Sequence, residues 1–149
     1  MKLSYDMLVQ GVYIITAKWR GKTGGMAASW ATQTDENRVA VCMGSQSTTR
    51  KLVLGSKAFG FHMLGAGQRK TGKQFGSNSS AKMDKFWGIR TRKVKTGAPI
   101  FNECIRWFDC RVEGIVASGD SKVIIGRIVG AGKGKVKGKP LIYRSKDYN

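Results

Sequence analysis

Three stretches of the chain bring small side chains, hydroxyls and cations close together. Residues 26–32, MAASWAT, run Met26, Ala27, Ala28, Ser29, Trp30, Ala31 and Thr32. Small side chains let a planar group approach the backbone, Ser29 and Thr32 offer hydroxyls, and Trp30 offers a ring face. Residues 44–49, GSQSTT, set Ser45, Ser47, Thr48 and Thr49 at a candidate helix start, where unpaired N–H groups favour an anion. A third stretch, residues 75–86, carries Gly76, Ser77 and Lys85 in a polar turn and helix. Each piece alone is also ordinary cap and turn chemistry. Together they offer what a phosphorylated planar ligand requires.

Other chemistries find little support. His62 is the single histidine and sits in an apolar strand, the setting of a satisfied core residue, and there is no G-x-S-x-G elbow. The nine acidic residues are too dispersed for paired-carboxylate work. There is no phosphate-binding P-loop, and Gly65-Ala66-Gly67 is an isolated turn. Cys42, Cys104 and Cys110 are too few for a disulfide framework and, with one histidine, too poor a ligand set for zinc. They read as small buried hydrophobes, and no metal is expected. The chemistry left is the kind that a cofactor performs while the protein positions and tunes it, and a flavin fits.

The elements that must hold these residues are mostly strands. Residues 11–19, 26–34, 38–43 and 58–64 are β-branched or aromatic and short. Ser47 to Thr49 cap a helix through Leu54 that Gly55 ends. Residues 66–88 predict one or two short helices, the second capped by Ser79 or Ser80. Residues 90–99 form a basic loop. Residues 105–116 and 122–129 make a hairpin across Ser118-Gly119-Asp120-Ser121. The stretch AGKGKVKGK, 131–139, reads as a mobile loop and residues 140–144 as a last strand. Short strands with few helices favour a β-barrel with helical excursions.

The chain of 149 residues suits one domain with one core, and its 41% hydrophobic content suits a folded globule. No stretch is a membrane span or a secretory signal, so a cytoplasmic protein is expected. Lys and Arg total 27 against 9 acids, a formal charge of +18 that attracts polyanions of any kind.

In order, the segments GVYIITAKWRGKTGGMAASWATQT, RVAVCMGSQSTTRKLVLGSKAFGFHML, FGSNSSAKMDKFWG, GAPIFNECIRWFDCRVEGIVASGD and PLIYRSKDY resemble the flavin-reductase-like FMN-binding split-barrel family over nearly the whole chain. The resemblance implies a single mainly β domain, a six-stranded Greek-key split barrel with a few short helices, usually a homodimer with flavin sites near the interface. It implies FMN, with FAD the alternative, held by residues 26–32 and by Ser45, Ser47, Thr48 and Thr49. It places Lys85 at or near the phosphate, Trp30 beside the flavin, Gly76 and Ser77 at the pocket's polar turn, and Tyr143 or Tyr148 across its mouth.

Two positions depart from the family pattern. Ser121 stands where family reductases commonly carry the histidine of G-D-H, near flavin and nicotinamide, and His62 replaces a typical Asn. Ser121 can hydrogen-bond a ligand edge but cannot donate charge. The leading expectation is an NAD(P)H-dependent flavin reductase using NADH or NADPH. The alternative is a flavoredoxin-like electron carrier serving an acidic redox partner. A third reading, a basic nucleic-acid-binding barrel, is disfavoured because the aromatics do not alternate with the cations on one strand face.

Overall fold

A computed structural model describes residues 1–76 and 85–148. Seven strands form one antiparallel sheet in the order β2-β1-β5-β6-β7-β4-β3. They are β1 (Tyr13–Trp19), β2 (Lys22–Ala28), β3 (Ala31–Asp35), β4 (Arg38–Met43), β5 (Ala58–Met63), β6 (Arg106–Ser118) and β7 (Ser121–Lys133). Helix α1 (Thr48–Ser56) precedes β5, α2 (Arg69–Gly76) follows it, and a 3-10 turn spans Ser145–Tyr148. The edge strands β2 and β3 are joined by Ser29 and Trp30 alone, so the sheet must curl until its edges meet. The amide of Cys42 donates to the Trp30 carbonyl (2.9 Å) where they do. This is the expected split-barrel class with seven strands rather than six: the strand expected over 26–34 is two, β2 and β3, broken at that junction, and residues 140–144 add none.

Period-two alternation divides the side chains of β1, β5 and β6 between two cores. Ile15, Ala17, Phe59, Phe61 and Cys110 point into the barrel, with Val39, Val41, Met43 and Ile124 from the far side. Ile14 and Trp107 point outward into a second cluster with Val12, Phe75, Ile100 and Phe101. β1, β5 and the start of β6, as far as Cys110, thus have both faces dry, and each fully buried Phe contributes roughly 1.5–3 kcal/mol.

Three local expectations are corrected. Helix α1 does not stop at Gly55; it runs to Ser56 and closes on Lys57, in the left-handed region at φ 62. Gly55 serves packing instead, since a Cβ there would lie 2.3 Å from the Trp19 ring. The Gly/Lys stretch is pinned rather than mobile. Its Gly134, Lys135 and Val136 amides donate to Ile105, Asn102 and Cys104 carbonyls at 2.9, 2.7 and 3.1 Å. Gly134 permits this, because a Cβ there would meet the Cys104 carbonyl oxygen at 1.9 Å. Residues 140–144 form only isolated bridges, Gly65 with Pro140 and Gly11 with Ile142, rather than a strand. The second helix expected in 66–88, with its Ser79 or Ser80 cap, falls largely outside the described residues.

Candidate functional site

The β2–β3 junction is the hub of the site. Ala27 and Ala28 end β2, and Ser29 begins the two-residue crossing. On one side these three line a cleft of about 160 Å³ with Val12, Gly76, Tyr143 and Tyr148. On the other side Ser29, Trp30, Ala31 and Thr32 line a shallower recess of about 310 Å³ with Gln10, Ala40, Cys42 and Val123. Ser29 is common to both.

The mouth of the first cleft is aromatic. Tyr143 and Tyr148 stack with centroids 5.3 Å apart, and the Tyr148 ring lies against Gly76, where a Cβ would come within 2.8 Å of it. Burial, with the Asp147 charge second, pushes the Tyr148 phenol up to about 12. Burial also raises Tyr143. Both therefore remain neutral hydrogen-bonding groups at any ordinary pH. Trp30 is half-exposed, with its indole N–H donating to the Tyr5 carbonyl (3.2 Å) and its ring edge-on to Tyr5.

The hydroxyl stretch lies at the next corner. Ser47 caps α1: its Oγ accepts from the Arg50 amide (3.1 Å) and contacts the Met26 sulfur at 3.1 Å. That contact joins two of the stretches singled out in the sequence. The first turn of α1 carries no acidic residue, so the positive end of the helix stays uncompensated. Thr48 is half-buried and Ser45 exposed, but Thr49 is buried in the protein. Ser121 opens β7 at the hairpin tip. Lys122 pairs with Met43 across β4, which brings Ser121 next to Gly44 and to the hydroxyl stretch.

Lys85 is turned inward. It is only 5% exposed, and its ammonium donates to the Phe75 and Gly25 carbonyls at 2.7 and 3.1 Å, tying the end of α2 to β2. Burial lowers its pKa. Ser77 lies outside the described residues. His62 bridges two backbone segments: one ring nitrogen is 2.9 Å from the Ile14 carbonyl, and the other accepts from the Phe101 amide at 3.1 Å. That pairing fixes a neutral tautomer, and burial lowers its pKa to about 4. Among the described residues no cluster of ligating side chains could hold a metal.

Sequence reasoning missed Val12, Gln10, Ala40, Cys42 and Val123. A signal existed for three of them: Ala40, Cys42 and Val123 alternate with the buried Val39, Val41 and Ile124, so they mark the outer face of their strands. Gln10 gave none. Its Oε1 is buried with no hydrogen-bond partner, an acceptor at the recess beside Trp30. That orphaned acceptor, the small-residue junction and the acid-free start of α1 fit a group combining a planar edge bearing an N–H with a phosphate.

A family profile described as "Flavin reductase like domain" matches residues 5–149, and the chain belongs to that family. It is 27% identical over 128 residues to a "Probable flavin reductase" of Rhizobium meliloti, covering 84% of this chain and 40% of that protein. It is 30% identical over 108 residues to a "Ferric-chelate reductase (NAD(P)H)" of Archaeoglobus fulgidus, covering 68% of this chain and 59% of that one. The fold matches that of an FMN-binding protein from Thermus thermophilus with a TM-score of 0.87, at 18% identity over 99% of this chain and 88% of the other. The chain spans less than two thirds of the length of the curated relatives named here.

Proposed function

We propose that this chain binds FMN at the β2–β3 junction and catalyses NAD(P)H-dependent flavin reduction. The observation that carries the reading is that residues 26–32 meet Tyr143 at the first cleft and the capped start of α1 through the Ser47–Met26 contact. FMN, when bound, supplies the redox chemistry, accepting an electron pair from a nicotinamide nucleotide and passing it on. The residues provide the setting. Ala27 and Ala28 leave room for a ring system against the backbone, Ser29 presents a hydroxyl to it, and Gln10 Oε1 accepts from an N–H edge. Ser45, Ser47 and Thr48 with the amides of α1 hold the phosphate. Lys85 supports the site from behind by fixing β2 to α2 rather than by touching phosphate.

The relatives' names support a nicotinamide donor, without choosing NADH over NADPH. A homodimer fits the outer face of β4 and β7, where half-buried Ala40, Cys42 and Val123 adjoin Val116, 59% exposed, and the N-terminal arm leaves Leu8 75% and Val9 86% exposed. Ser121, at the position of the usual histidine, favours a second reading, an FMN electron carrier that takes its electrons from a protein.

The test is spectroscopic. Purified protein is expected to take up FMN and show its absorbance, and anaerobic NADH or NADPH is expected to bleach it. Protein that stays colourless with FMN sinks the whole reading. Protein that binds FMN but is bleached by neither nucleotide leaves the carrier.

A further inference from the structure

The pinned Gly/Lys ribbon forms part of a strongly cationic face. Its lysines, Lys133, Lys135, Lys137 and Lys139, recur at every second residue and all stand exposed, while Gly132, Gly134 and Val136 between them are turned toward the protein. Lys133 ends β7, and the other three follow on a bent segment in which Gly138 takes a φ of 109. The neighbouring segment adds exposed Arg90, Arg92, Lys93 and Lys95. The two segments adjoin: Lys135 bonds through its amide to Asn102, whose side chain accepts from Arg92 at 2.7 Å, and Gly130 lies against Val94. Asp109, one of two acids at this face, is buried and consumed by the Lys95 and Thr96 amides and the Thr96 hydroxyl. None of these eight cations makes an ion pair among the described residues.

We infer that this face docks an acidic protein. Unpaired cations held on a fixed backbone form a pre-organised surface for carboxylates, and they steer the encounter. A second observation separates a protein from a nucleic acid. Glu103 lies in a cleft of this face between Arg90 and Lys135, and its Oε2 is buried without a hydrogen-bond partner. A phosphate backbone would bring negative charge and acceptors to that carboxylate; a protein surface brings N–H and O–H donors along with its acids. A single-strand groove would also need a row of exposed rings. Here Arg92 lies over the Trp107 ring, which is 7% exposed, and Trp87 alone stands open nearby among the described residues.

The ribbon also leads to the site. Lys139 is four residues from Tyr143, at most about 14 Å of chain, and that path is fixed where the Leu141 amide donates to Leu64 and the Tyr143 amide to Gln10. A docked protein therefore sits beside the cleft. That this partner is a redox carrier rests on the flavin reading above; the docking surface does not.

The experiment measures association of the full chain with a plant-type [2Fe–2S] ferredoxin, an acidic iron–sulfur carrier, across a salt series. The K133Q/K135Q/K137Q variant is compared with K18Q/K22Q/K51Q, which removes the same charge around the β1–β2 turn and α1. The ribbon variant is expected to bind about tenfold more weakly, from three lost exposed ion pairs, with the control variant near wild type and wild-type affinity falling as salt rises. No binding, or equal weakening in both variants, overturns the proposal. So does tighter retention of a poly(dT) oligonucleotide than of ferredoxin at physiological salt. FMN uptake by each variant is read separately from its absorbance, so failure of the flavin reading is visible without touching this result.

Discussion

The two halves of the barrel are built to different rules. Around β1, β5 and the start of β6, as far as Cys110, both faces of the sheet are dry, and the polar groups caught there are satisfied: Thr16 donates to the Pro99 carbonyl, His62 joins Ile14 to Phe101, and Asp109 accepts from three donors. Around β3, β4, β7 and the rest of β6, which carries Glu113, only the inner face of β4 and β7 is dry. The outer face keeps half-buried Ala40, Cys42 and Val123 beside a recess, and its charges pair in solvent, Arg38 with Asp35 and Glu113. The closed half is scaffold, and the open half leaves a recess at its surface. The candidate site lies where they join, at Ser29 and Trp30.

The sharpest way to break this contrast is to remove one carboxylate from each half. Asp109→Ala strands the Lys95 and Thr96 donors beneath a packed segment and is expected to cost about 3–4 kcal/mol. Glu113→Ala removes an exposed partner of Arg38 and is expected to cost about 0.5 kcal/mol. Urea unfolding of both decides the matter, and equal midpoints would mean that the halves do not differ as described.

Acid should find the closed half next. His62 is neutral in the fold, with its pKa lowered to about 4 from 6.5, so folding disfavours its proton. Its stability contribution is complete above about pH 6.5 and is lost as pH falls from there toward 4, by about 3 kcal/mol in total. Asp6 and Asp35, lowered from 3.8 chiefly by backbone hydrogen bonds, lose theirs only at still lower pH. Denaturation midpoints measured from pH 7 to pH 4 should slope downward in the wild type and much less in His62→Asn. A variant that keeps the wild-type slope would assign it elsewhere.

At the junction, Ser47 separates cap from ligand. Ser47→Ala loses the bond to the Arg50 amide and should cost about 1 kcal/mol. Ser47→Asp keeps a capping oxygen and suits the helix end, so stability should hold. Its charge would, however, repel a phosphate, and FMN should bind more weakly while riboflavin is unaffected. Unchanged FMN affinity in Ser47→Asp would move the phosphate away from α1.

How much of this the sequence disclosed follows the same division. The closed half was legible because its strands are short, β-branched and apolar, and because a lone histidine in such a strand has little choice but to be satisfied by backbone. Of the site, the local pieces were legible: residues 26–32 and the Ser47 cap are chain-continuous patterns with their own physics. What composition hid was long-range. Lys85 looked like a phosphate cation, yet its ammonium turns to carbonyls sixty and ten residues away. The glycines of 131–139 looked like freedom, but Gly134 is there to let the chain pass against Cys104. A glycine-rich stretch and a pinned one share a composition; only the partner's position tells them apart.

The smallest expected change in stability belongs to the open half, at Trp30. The ring is 43% exposed, and within the protein it is held by the Tyr5 carbonyl at 3.2 Å and by the edge of the Tyr5 ring. Both contacts are to the N-terminal arm, not to the barrel, so Trp30→Ala removes no core packing and should shift unfolding by at most about 0.5 kcal/mol. Its ligand effect should be larger, since an aromatic contact to a planar ring contributes about 0.5–1.5 kcal/mol, or up to about tenfold in FMN affinity. Fluorescence titration with FMN beside a thermal melt reads both quantities on one sample. A large loss of stability with FMN affinity intact would make Trp30 a strut of the barrel, and the junction would then belong to the scaffold rather than to the site.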